Sequence, residues 1–196
     1  MEDRRSFLKK TAAGLVYLGL ASTIPIDSFA KDDTIVLTIL HTNDMHSRID
    51  PFPADAGKFA GLGGMARRAA LINQIRQQEE HVLLLDAGDI FQGTPYFNYY
   101  GGELEFKLMS EMKYDAATIG NHDFDNGLEG LKDKLPFAQF PFLVANYDFS
   151  NTILANQFKP YQIFTRGPLK IGVFGLGIEL KGLVWDTSYG NTKYLN

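Results

Sequence analysis

The sequence of 196 residues contains no cysteine and a single tryptophan. Without cysteine, the chain has no disulfide framework, no thiolate metal site and no cysteine nucleophile. Charge is also sparse: 19 basic and 23 acidic residues give a formal net charge of -4, and no basic patch stands out. This balance argues against a nucleic-acid partner held by phosphate contacts. The hydrophobic share of 45% is that of an ordinary globular protein, and the length suggests one domain, or one domain with a tail.

The N-terminus lacks a hydrophobic run long enough to span a bilayer and has instead the pattern of an export signal. The paired arginines Arg4 and Arg5 precede a weakly apolar stretch over 11–26, and small residues stand before a plausible cleavage point after Ala30. The arginine pair resembles a twin-arginine signal, which the Tat export machinery reads and which would deliver the protein to the periplasm. A membrane anchor or a surface helix is the alternative interpretation. We expect a signal peptide over 1–30, a mature part over 31–196 and no stable membrane anchor after cleavage.

Strands and helices alternate along the mature part. Apolar runs predict strands at 34–41, 81–86, 115–120 and 142–146, followed by a strand pair at 161–165 and 169–177. Helical spacing predicts a helix opened by Gly63 and Gly64 that runs to about Glu80, a helix over 103–113, and a short helix that ends before Pro136. Alternation of this kind implies a parallel or mixed sheet covered by helices.

Side chains with metal-binding chemistry follow three of these strands. Asp44 and His46 follow the first strand, Asp89 follows the second, and Asn121 and His122 follow the third. In an extended segment, residues two apart point the same way, so Asp44 and His46 can converge on one point. Ligands of open α/β sheets gather at the carboxyl ends of the strands, where all three clusters fall. Carboxylate, amide and imidazole groups together suit Mn²⁺, Zn²⁺, Fe or Co²⁺.

The order of these clusters is similar to that of a known family. The sequence resembles the calcineurin-like metallophosphoesterases through its D-M-H (44–46), G-D (88–89) and G-N-H-D (120–123) motifs. It is most similar to the 5'-nucleotidase branch, through the segments 41–46, 86–89, 92–95 and 119–125. A G-N-H-D tetrapeptide arises by chance in only about one such chain per thousand. The resemblance covers about residues 34–177 and implies an α/β (α+β) fold, a layered β-sandwich of mixed sheets flanked by helices.

The resemblance implies a site for two divalent metal ions, with Mn, Zn, Fe and Co as the candidates. Asp44 and His46 would bind the first ion, Asp89 would bridge both ions, and Asn121 would bind the second through its amide oxygen. A carboxylate with two oxygens suits a bridge between cations about 3.5–4 Å apart. Simpler roles are the alternatives: a turn cap at Asp44, a solvated loop histidine at His46, a turn aspartate at Asp89 and a left-handed turn at Asn121.

The resemblance also implies a catalytic group beside the substrate phosphate. His122 would fill this role with Asp125 as its carboxylate partner, and Asn121 and His122 would both contact the substrate. An imidazole held by a carboxylate can donate a proton to the leaving oxygen. Asp125 could instead be the N-cap of the helix that follows, and the two roles can coexist. Asp123 is expected to have a structural role or to support a neighbouring ligand from behind.

No histidine follows His122 in the sequence. The family completes its two-metal site with histidines from later strands, and residues 123–196 cannot supply them. We therefore expect the metallophosphatase domain over 31–196 to be incomplete at its C-terminal end, without a closing helix. The further domain that binds the nucleoside in two-domain members of the family is also expected to be absent.

Three hypotheses about function follow from the resemblance. The first is a metal-dependent phosphoester hydrolase that releases phosphate from nucleotides or related esters. The second is a thiosulfohydrolase of the same superfamily, although no sequence element requires a sulfur substrate. The third is an exported binding or scaffold protein that kept the fold without turnover, which the missing histidines favour for this chain. Five aromatic residues could border a substrate or cover the sheet: Phe91, Tyr96, Phe97, Tyr99 and Tyr100.

Overall fold

The structure is a computed structural model that describes residues 34–195. The expected signal over 1–30, with Arg4 and Arg5, lies outside the described residues. The described strands are β1 (Thr38–Thr42), β2 (Val82–Asp86), β3 (Ala116–Ala117), β4 (Tyr147–Asp148), β5 (Tyr161–Arg166), β6 (Leu169–Phe174) and β7 (Lys193–Tyr194). The described α-helices are α1 (Met65–Gln78), α2 (Pro95–Tyr100), α3 (Glu103–Glu111), α4 (Gly127–Lys134) and α5 (Asp186–Tyr189). Short 3-10 helices cover Gly57–Phe59, His122–Phe124 and Leu135–Phe137.

A parallel sheet in the order β1-β2-β3 places the loops that carry the motifs at one edge. Thr38 pairs with Val82 at one end of the β1–β2 ladder, and Leu85 pairs with Ala116 between β2 and β3. The strand β2 is central and buried along most of its length, as expected for a parallel strand covered on both faces. A parallel bridge between Ala117 and Phe142 continues the sheet beyond β3.

The hydrophobic core lies between the sheet and helices α1, α3 and α4. Three phenylalanines, Phe91, Phe106 and Phe124, are completely buried in it, and the rings of Phe91 and Phe106 are 4.8 Å apart. Gly102 begins α3 directly against Phe91, where a Cβ atom would overlap the phenyl ring. The start of α3 is therefore fixed by close packing against the loop that follows β2.

The antiparallel hairpin of β5 and β6 is joined to the parallel sheet through Arg166. The guanidinium of Arg166 pairs with Asp115 and donates from Nε to the carbonyl oxygen of Val82 at 2.6 Å. Apolar side chains on one side of the hairpin stay exposed, with Ile163 at 60% and Phe174 at 63%. Within residues 34–195, the hairpin therefore packs on one face only. None of the helices in this part of the chain is long and apolar enough to cross a membrane.

Several predicted boundaries are wrong, each for a tertiary reason. The first strand begins at Thr38 rather than at residue 34, because the partner strand β2 begins only at Val82. The third strand is two residues long, since the N–H of Gly120 donates to the Asp123 carboxylate instead of to a sheet partner. In the predicted strand over 142–146, the structure has only isolated bridges, one of them between Leu143 and Lys159.

The last part of the described chain also departs from expectation. A short helix, α5, follows the hairpin and packs against α4, although no closing helix was expected. After it, β7 pairs antiparallel with β4, with Tyr194 opposite Tyr147. The helix α4 ends at Lys134 as expected, and Pro136 then lies in a 3-10 helix, where its fixed φ angle is tolerated in the first turn.

Candidate metal site at the strand ends

Backbone hydrogen bonds hold the loop after β1 against the loop after β2. The N–H of Asp44 donates to the carbonyl oxygen of Gly88 at 3.0 Å, and the N–H of His46 donates to that of Asp89 at 3.1 Å. The parallel pairing of the two strands thus continues past their ends. Two of the predicted metal ligands, His46 and Asp89, are brought together by these bonds.

Left-handed backbone conformations turn the site residues toward each other. Asp44 has a φ angle of 50°, His46 one of 46° and Asp89 one of 56°. The expected extended conformation of this segment is therefore wrong, although the Asp44 and His46 side chains do approach each other, with Oδ1 and Nε2 3.9 Å apart. Residues other than glycine rarely adopt this conformation, and it persists where the surroundings impose it, often at functional sites.

The motif glycines allow the loops to approach each other closely. A Cβ atom at Gly88 would stand 2.8 Å from the Cα atom of Gly120, and one at Gly120 would overlap the Asp89 carboxylate. On the other side, a Cβ atom at Gly93 would lie 2.9 Å from the Cβ atom of His46. Each of these glycines faces a predicted site residue or its loop.

Three side chains form a potential metal-binding triad: His46, Asp89 and His122 each offer a ligand atom, all within 4.8 Å of one another. The two imidazole rings are 5.0 Å apart and nearly perpendicular, at 75°. His46 Nδ1 lies 3.2 Å from the carbonyl oxygen of Phe91, which can only accept a hydrogen bond. A neutral His46 ring that makes this hydrogen bond carries its proton on Nδ1, which leaves the lone pair of Nε2 for a metal ion.

The other two predicted ligands lie near this triad. Asp44 Oδ1 is 3.9 Å from His46 Nε2, and its side chain is 60% exposed. The side-chain amide of Asn43 donates to the other oxygen of Asp44. Asn121 has a φ angle of -70°, so the alternative of a left-handed turn at this residue is excluded. Neither residue belongs to the triad itself, and their roles as ligands stay predictions.

The structure brings His122 and Asp125 together across the 3-10 helix. His122 Nδ1 lies 3.0 Å from Asp125 Oδ2, and this hydrogen bond is the main cause that raises the pKa of His122 above its usual value. The N-cap of α4 is Asn126, so Asp125 does not have the alternative role of capping that helix. His122 lies within reach of both Asp89 and His46, and the geometry therefore allows it either to bind a metal ion or to contact a phosphate.

Two buried carboxylates lie next to the predicted ligands in the sequence: Asp123, which was expected to be structural or supporting, and Asp86, for which no role was predicted. Asp123 accepts four backbone N–H groups, and burial raises its pKa to about 7. Asp86 accepts the N–H of Gly88 at 2.9 Å and the hydroxyl of Thr42 at 2.6 Å, and burial raises its pKa to about 6. The signal that could have found them is their place in the D-A-G-D and G-N-H-D motifs, next to the predicted ligands.

A cavity of about 680 Å³ lies between the loop after His46 and helix α2, and no residue of the triad lines it. Tyr96, Tyr99 and Tyr100 line it, and the Tyr96 hydroxyl donates to Asp50 at 2.6 Å. Of the five aromatic residues considered in the sequence, the three tyrosines border this cavity, whereas Phe91 and Phe97 are buried in the core.

The donor set fits a divalent cation of the first transition row or zinc. It combines an imidazole nitrogen of His46 that is free to coordinate, the carboxylate of Asp89 and a second imidazole. Such mixtures of nitrogen and oxygen ligands suit Mn²⁺, Zn²⁺, Fe and Co²⁺.

Comparison with known proteins agrees with this geometry. Residues 37–186 match the family model described as calcineurin-like phosphoesterase, and the chain belongs to that family. Membership implies divalent metal ions, for which the triad is a candidate site.

Curated relatives include 5'-nucleotidases from animals and bacteria. The snake venom 5'-nucleotidase of Crotalus adamanteus is 47% identical over 146 residues, which cover 71% of this chain and 25% of the relative. The 5'-nucleotidase of Vibrio cholerae is 40% identical over 190 residues, which cover 94% of this chain and 32% of the relative. The resemblance to the 5'-nucleotidase branch is confirmed. The chain spans about a quarter to a third of the length of these relatives.

Solved structures confirm the fold class. The 5'-nucleotidase precursor of Thermus thermophilus matches with a TM-score of 0.72 and 36% identity, over 82% of this chain and 32% of that one. The NAD nucleotidase of Haemophilus influenzae matches with a TM-score of 0.71 and 35% identity, over 82% and 29%. A sulfate thiohydrolase of Thermus thermophilus, with a TM-score of 0.68 but 16% identity over 84% and 40%, shares the fold alone.

Proposed function

We propose that this chain is part of a metal-dependent phosphoester hydrolase of the 5'-nucleotidase type, which releases phosphate from nucleotides or related esters. The observation that carries the proposal is the triad of His46, Asp89 and His122 at the ends of three parallel strands. The relatives named 5'-nucleotidase support it, since they match the chain at identities of 40–47%.

We assign the residues to roles as follows. Asp89 would hold both metal ions, His46 and Asp44 would complete the first ion's site, and Asn121 would serve the second. When bound, the ions would act as Lewis acids that polarise the phosphate oxygens and activate the attacking water. The identity of the ions is limited by the donor set to Mn, Zn, Fe or Co.

His122 acts on the substrate side in this proposal. Its Nδ1 hydrogen bond to Asp125 fixes the orientation of the ring and favours the protonated form, because the pKa of His122 is raised. A protonated imidazole that faces the phosphate can donate a hydrogen bond or a proton to the leaving oxygen. General acid help of this kind contributes about 10²–10⁴-fold to a rate.

We further propose that residues 1–30 are a twin-arginine signal that directs the mature part, 31–196, to the periplasm. The support is the sequence pattern around Arg4 and Arg5. The substrate is then a small phosphoester or nucleotide in that compartment, and nucleic acid is not a partner.

The thiosulfohydrolase hypothesis is the second candidate, because a sulfate thiohydrolase shares the fold at a TM-score of 0.68. Its identity of 16% is well below the 36% of the 5'-nucleotidase precursor, which favours the nucleotidase.

The test uses the mature part extended downstream through a later histidine cluster, because residues 123–196 contain no histidine. It compares phosphate release from AMP and from p-nitrophenyl phosphate in Mn²⁺ with sulfate release from a thiosulfate-linked substrate. We expect phosphate release that EDTA abolishes and that Asp89→Asn lowers, because that variant weakens the metal site, while the exposed Asp133→Asn matches wild type. Release of sulfate alone would favour the thiosulfohydrolase. Bound Mn²⁺ without turnover of any substrate would contradict the hydrolase proposal and favour a binding protein.

A further inference from the structure

The carboxylate of Asp123 joins two of the loops that build the site. Its side chain is buried, with 1% exposure. Oδ1 accepts the N–H groups of Ile90 at 2.9 Å and Phe91 at 3.1 Å. Oδ2 accepts the N–H groups of Asp89 at 3.1 Å and Gly120 at 2.8 Å. All four donors are backbone groups, so the carboxylate links the loop after β2 to the loop after β3.

Three of the four donors are consecutive along the chain, from Asp89 to Phe91. Successive backbone N–H groups that converge in this way form a concavity for an anion. The concavity depends on φ angles of 95° at Gly88 and 56° at Asp89. An aspartate in this region is held there by its surroundings, and the hydrogen bond from the N–H of Asp89 to the Asp123 carboxylate is one of the contacts that hold it.

The side chain of Asp89 is held by the same segment. Its Oδ1 accepts the N–H of His122 at 2.9 Å, and His122 directly precedes Asp123 in the chain. The carbonyl oxygen of Asp89 in turn accepts the N–H of His46 at 3.1 Å. The relative positions of His46, Asp89 and His122 therefore all depend on where Asp123 places Asp89.

We propose that Asp123 is a positioning residue for the metal site: its carboxylate fixes the backbone of Asp89 so that the Asp89 side chain faces His46 and His122. Metal affinity then depends on a residue that does not itself belong to the triad. This inference rests on the proposed function in so far as Asp89 and His46 bind a divalent ion.

An asparagine at this position separates positioning from simple space filling. Its amide has nearly the same shape as the carboxylate but only one oxygen, so it can accept hydrogen bonds from only two of the four N–H groups. Its NH₂ group then faces the other two N–H groups, which are also donors. Asp86→Asn is the matched control, because Asp86 is also buried, at 4% exposure, and loses the same charge. Asp86 accepts from Gly88 and Thr42, but not from the segment between Asp89 and Phe91.

The experiment titrates Mn²⁺ into wild type, Asp123→Asn and Asp86→Asn by calorimetry, with thermal unfolding in EDTA as the measure of folding. Supporting groups behind metal ligands change affinity by about 10–100-fold. We expect Asp123→Asn to weaken Mn²⁺ binding at least about tenfold and Asp86→Asn to stay within about threefold of wild type. Asp123→Glu, which restores a carboxylate, should recover part of the loss. An Asp123→Asn protein that binds Mn²⁺ within about threefold of wild type, or no worse than Asp86→Asn, would overturn the proposal.

Amide hydrogen exchange of the metal-free wild type tests the same idea without a variant that must fold. The N–H groups of Asp89, Ile90, Phe91 and Gly120 should exchange slowly, compared with that of the exposed Gln92. Exchange of all four as fast as at Gln92 would overturn the positioning role. If wild type bound no Mn²⁺ at all, the proposed function would fail, while the exchange rates would still decide whether Asp123 holds the Asp89 backbone.

Discussion

Gly88 and Gly120 touch backbone to backbone: a Cβ atom at Gly88 would overlap the nitrogen of Gly120 and stand 2.8 Å from its Cα atom. This contact brings the ends of β2 and β3 together and so places Asp89 beside His122. Gly88 also has a φ angle of 95°, which an L side chain rarely adopts. The contact and the conformation together predict that this position accepts only glycine.

The variant Gly88→Ala should therefore be strongly destabilised. A left-handed conformation costs an alanine about 1–2 kcal/mol, and overpacking adds about 1–3 kcal/mol. Gly57→Ala, with a φ angle of 57° and nothing within 4 Å of the added Cβ atom, should be destabilised only by the left-handed conformation. Gly172→Ala, which has neither problem, should stay within about 0.5 kcal/mol of wild type. Urea unfolding measures all three, and a loss at Gly88 no larger than at Gly57 would show that the contact with Gly120 is not tight.

The location of the site could be predicted from the sequence, because the motifs at Asp44, Asp89 and Asn121 directly follow apolar runs. Buried parallel strands give such runs, and the carboxyl ends of parallel strands meet at one edge. Element types were also predictable for β2 and α1, where the apolar pattern is long or periodic. Local pattern was sufficient in both cases.

The construction of the site could not be predicted in the same way. The four N–H groups that converge on Asp123 come from segments that are about thirty residues apart in sequence, and no local pattern encodes their meeting. The same holds for β7, whose two residues pair with β4 across more than forty positions. Left-handed backbone at His46 and Asp89 is likewise imposed by tertiary contacts and not by residue preference.

The hydrogen bond between His122 and Asp125 predicts a pH-dependent effect. Asp125→Asn should lower the pKa of His122 toward 6.5, its usual value, since the Asp125 hydrogen bond is the main cause that raises it. At pH values below 6.5, the hydrogen bond between His122 and Asp125 stabilises the metal-free protein in full. This stabilisation is lost as the pH rises through the raised pKa of His122. The variant should thus be less stable than wild type at acid pH and equal to it at high pH.

NMR titration of the His122 ring, with unfolding at pH 5.5 and pH 8, measures both effects. The exposed Asp133 on α4 provides the control, since Asp133→Asn should leave the His122 titration unchanged. An identical His122 titration in wild type and Asp125→Asn would show that the hydrogen bond does not form in solution.

Asp86 predicts a second pH dependence, which has the same direction as that of His122 but lies at lower pH. Burial raises its pKa from 3.8 to about 6, so the folded protein binds this proton more tightly than the unfolded chain does. Stability in EDTA should therefore fall as the pH rises from about 4 to about 6, by about 3 kcal/mol for this group.

The variant Asp86→Asn should lack this part of the pH profile, and the difference between the two curves isolates Asp86 from other groups. Denaturant unfolding at half-unit steps of pH measures it. A constant difference in stability between wild type and variant from pH 4 to pH 7 would contradict a raised pKa at Asp86.

Export should fail when Arg4 and Arg5 are both replaced by lysine. The replacement keeps the charge, so a signal recognised only by its charge would still work. A signal recognised by a receptor for the arginine pair would fail. Fractionation of cells that express the full chain measures the periplasmic share. Unchanged periplasmic accumulation of the double variant would point to general secretion or to an anchor instead.

The central claim is that the three strand-end loops form a divalent-cation site around Asp89. The most direct measurement is bound Mn²⁺ per chain, by elemental analysis after equilibrium dialysis of wild type, Asp89→Asn and the exposed control Asp55→Asn. Asp89→Asn keeps the shape of the side chain and removes the charge, and loss of a ligand carboxylate should lower affinity at least about tenfold, or about 1.4 kcal/mol. We expect bound Mn²⁺ on wild type and Asp55→Asn and a clear loss on Asp89→Asn; equal metal content in all three proteins would contradict a cation site at Asp89.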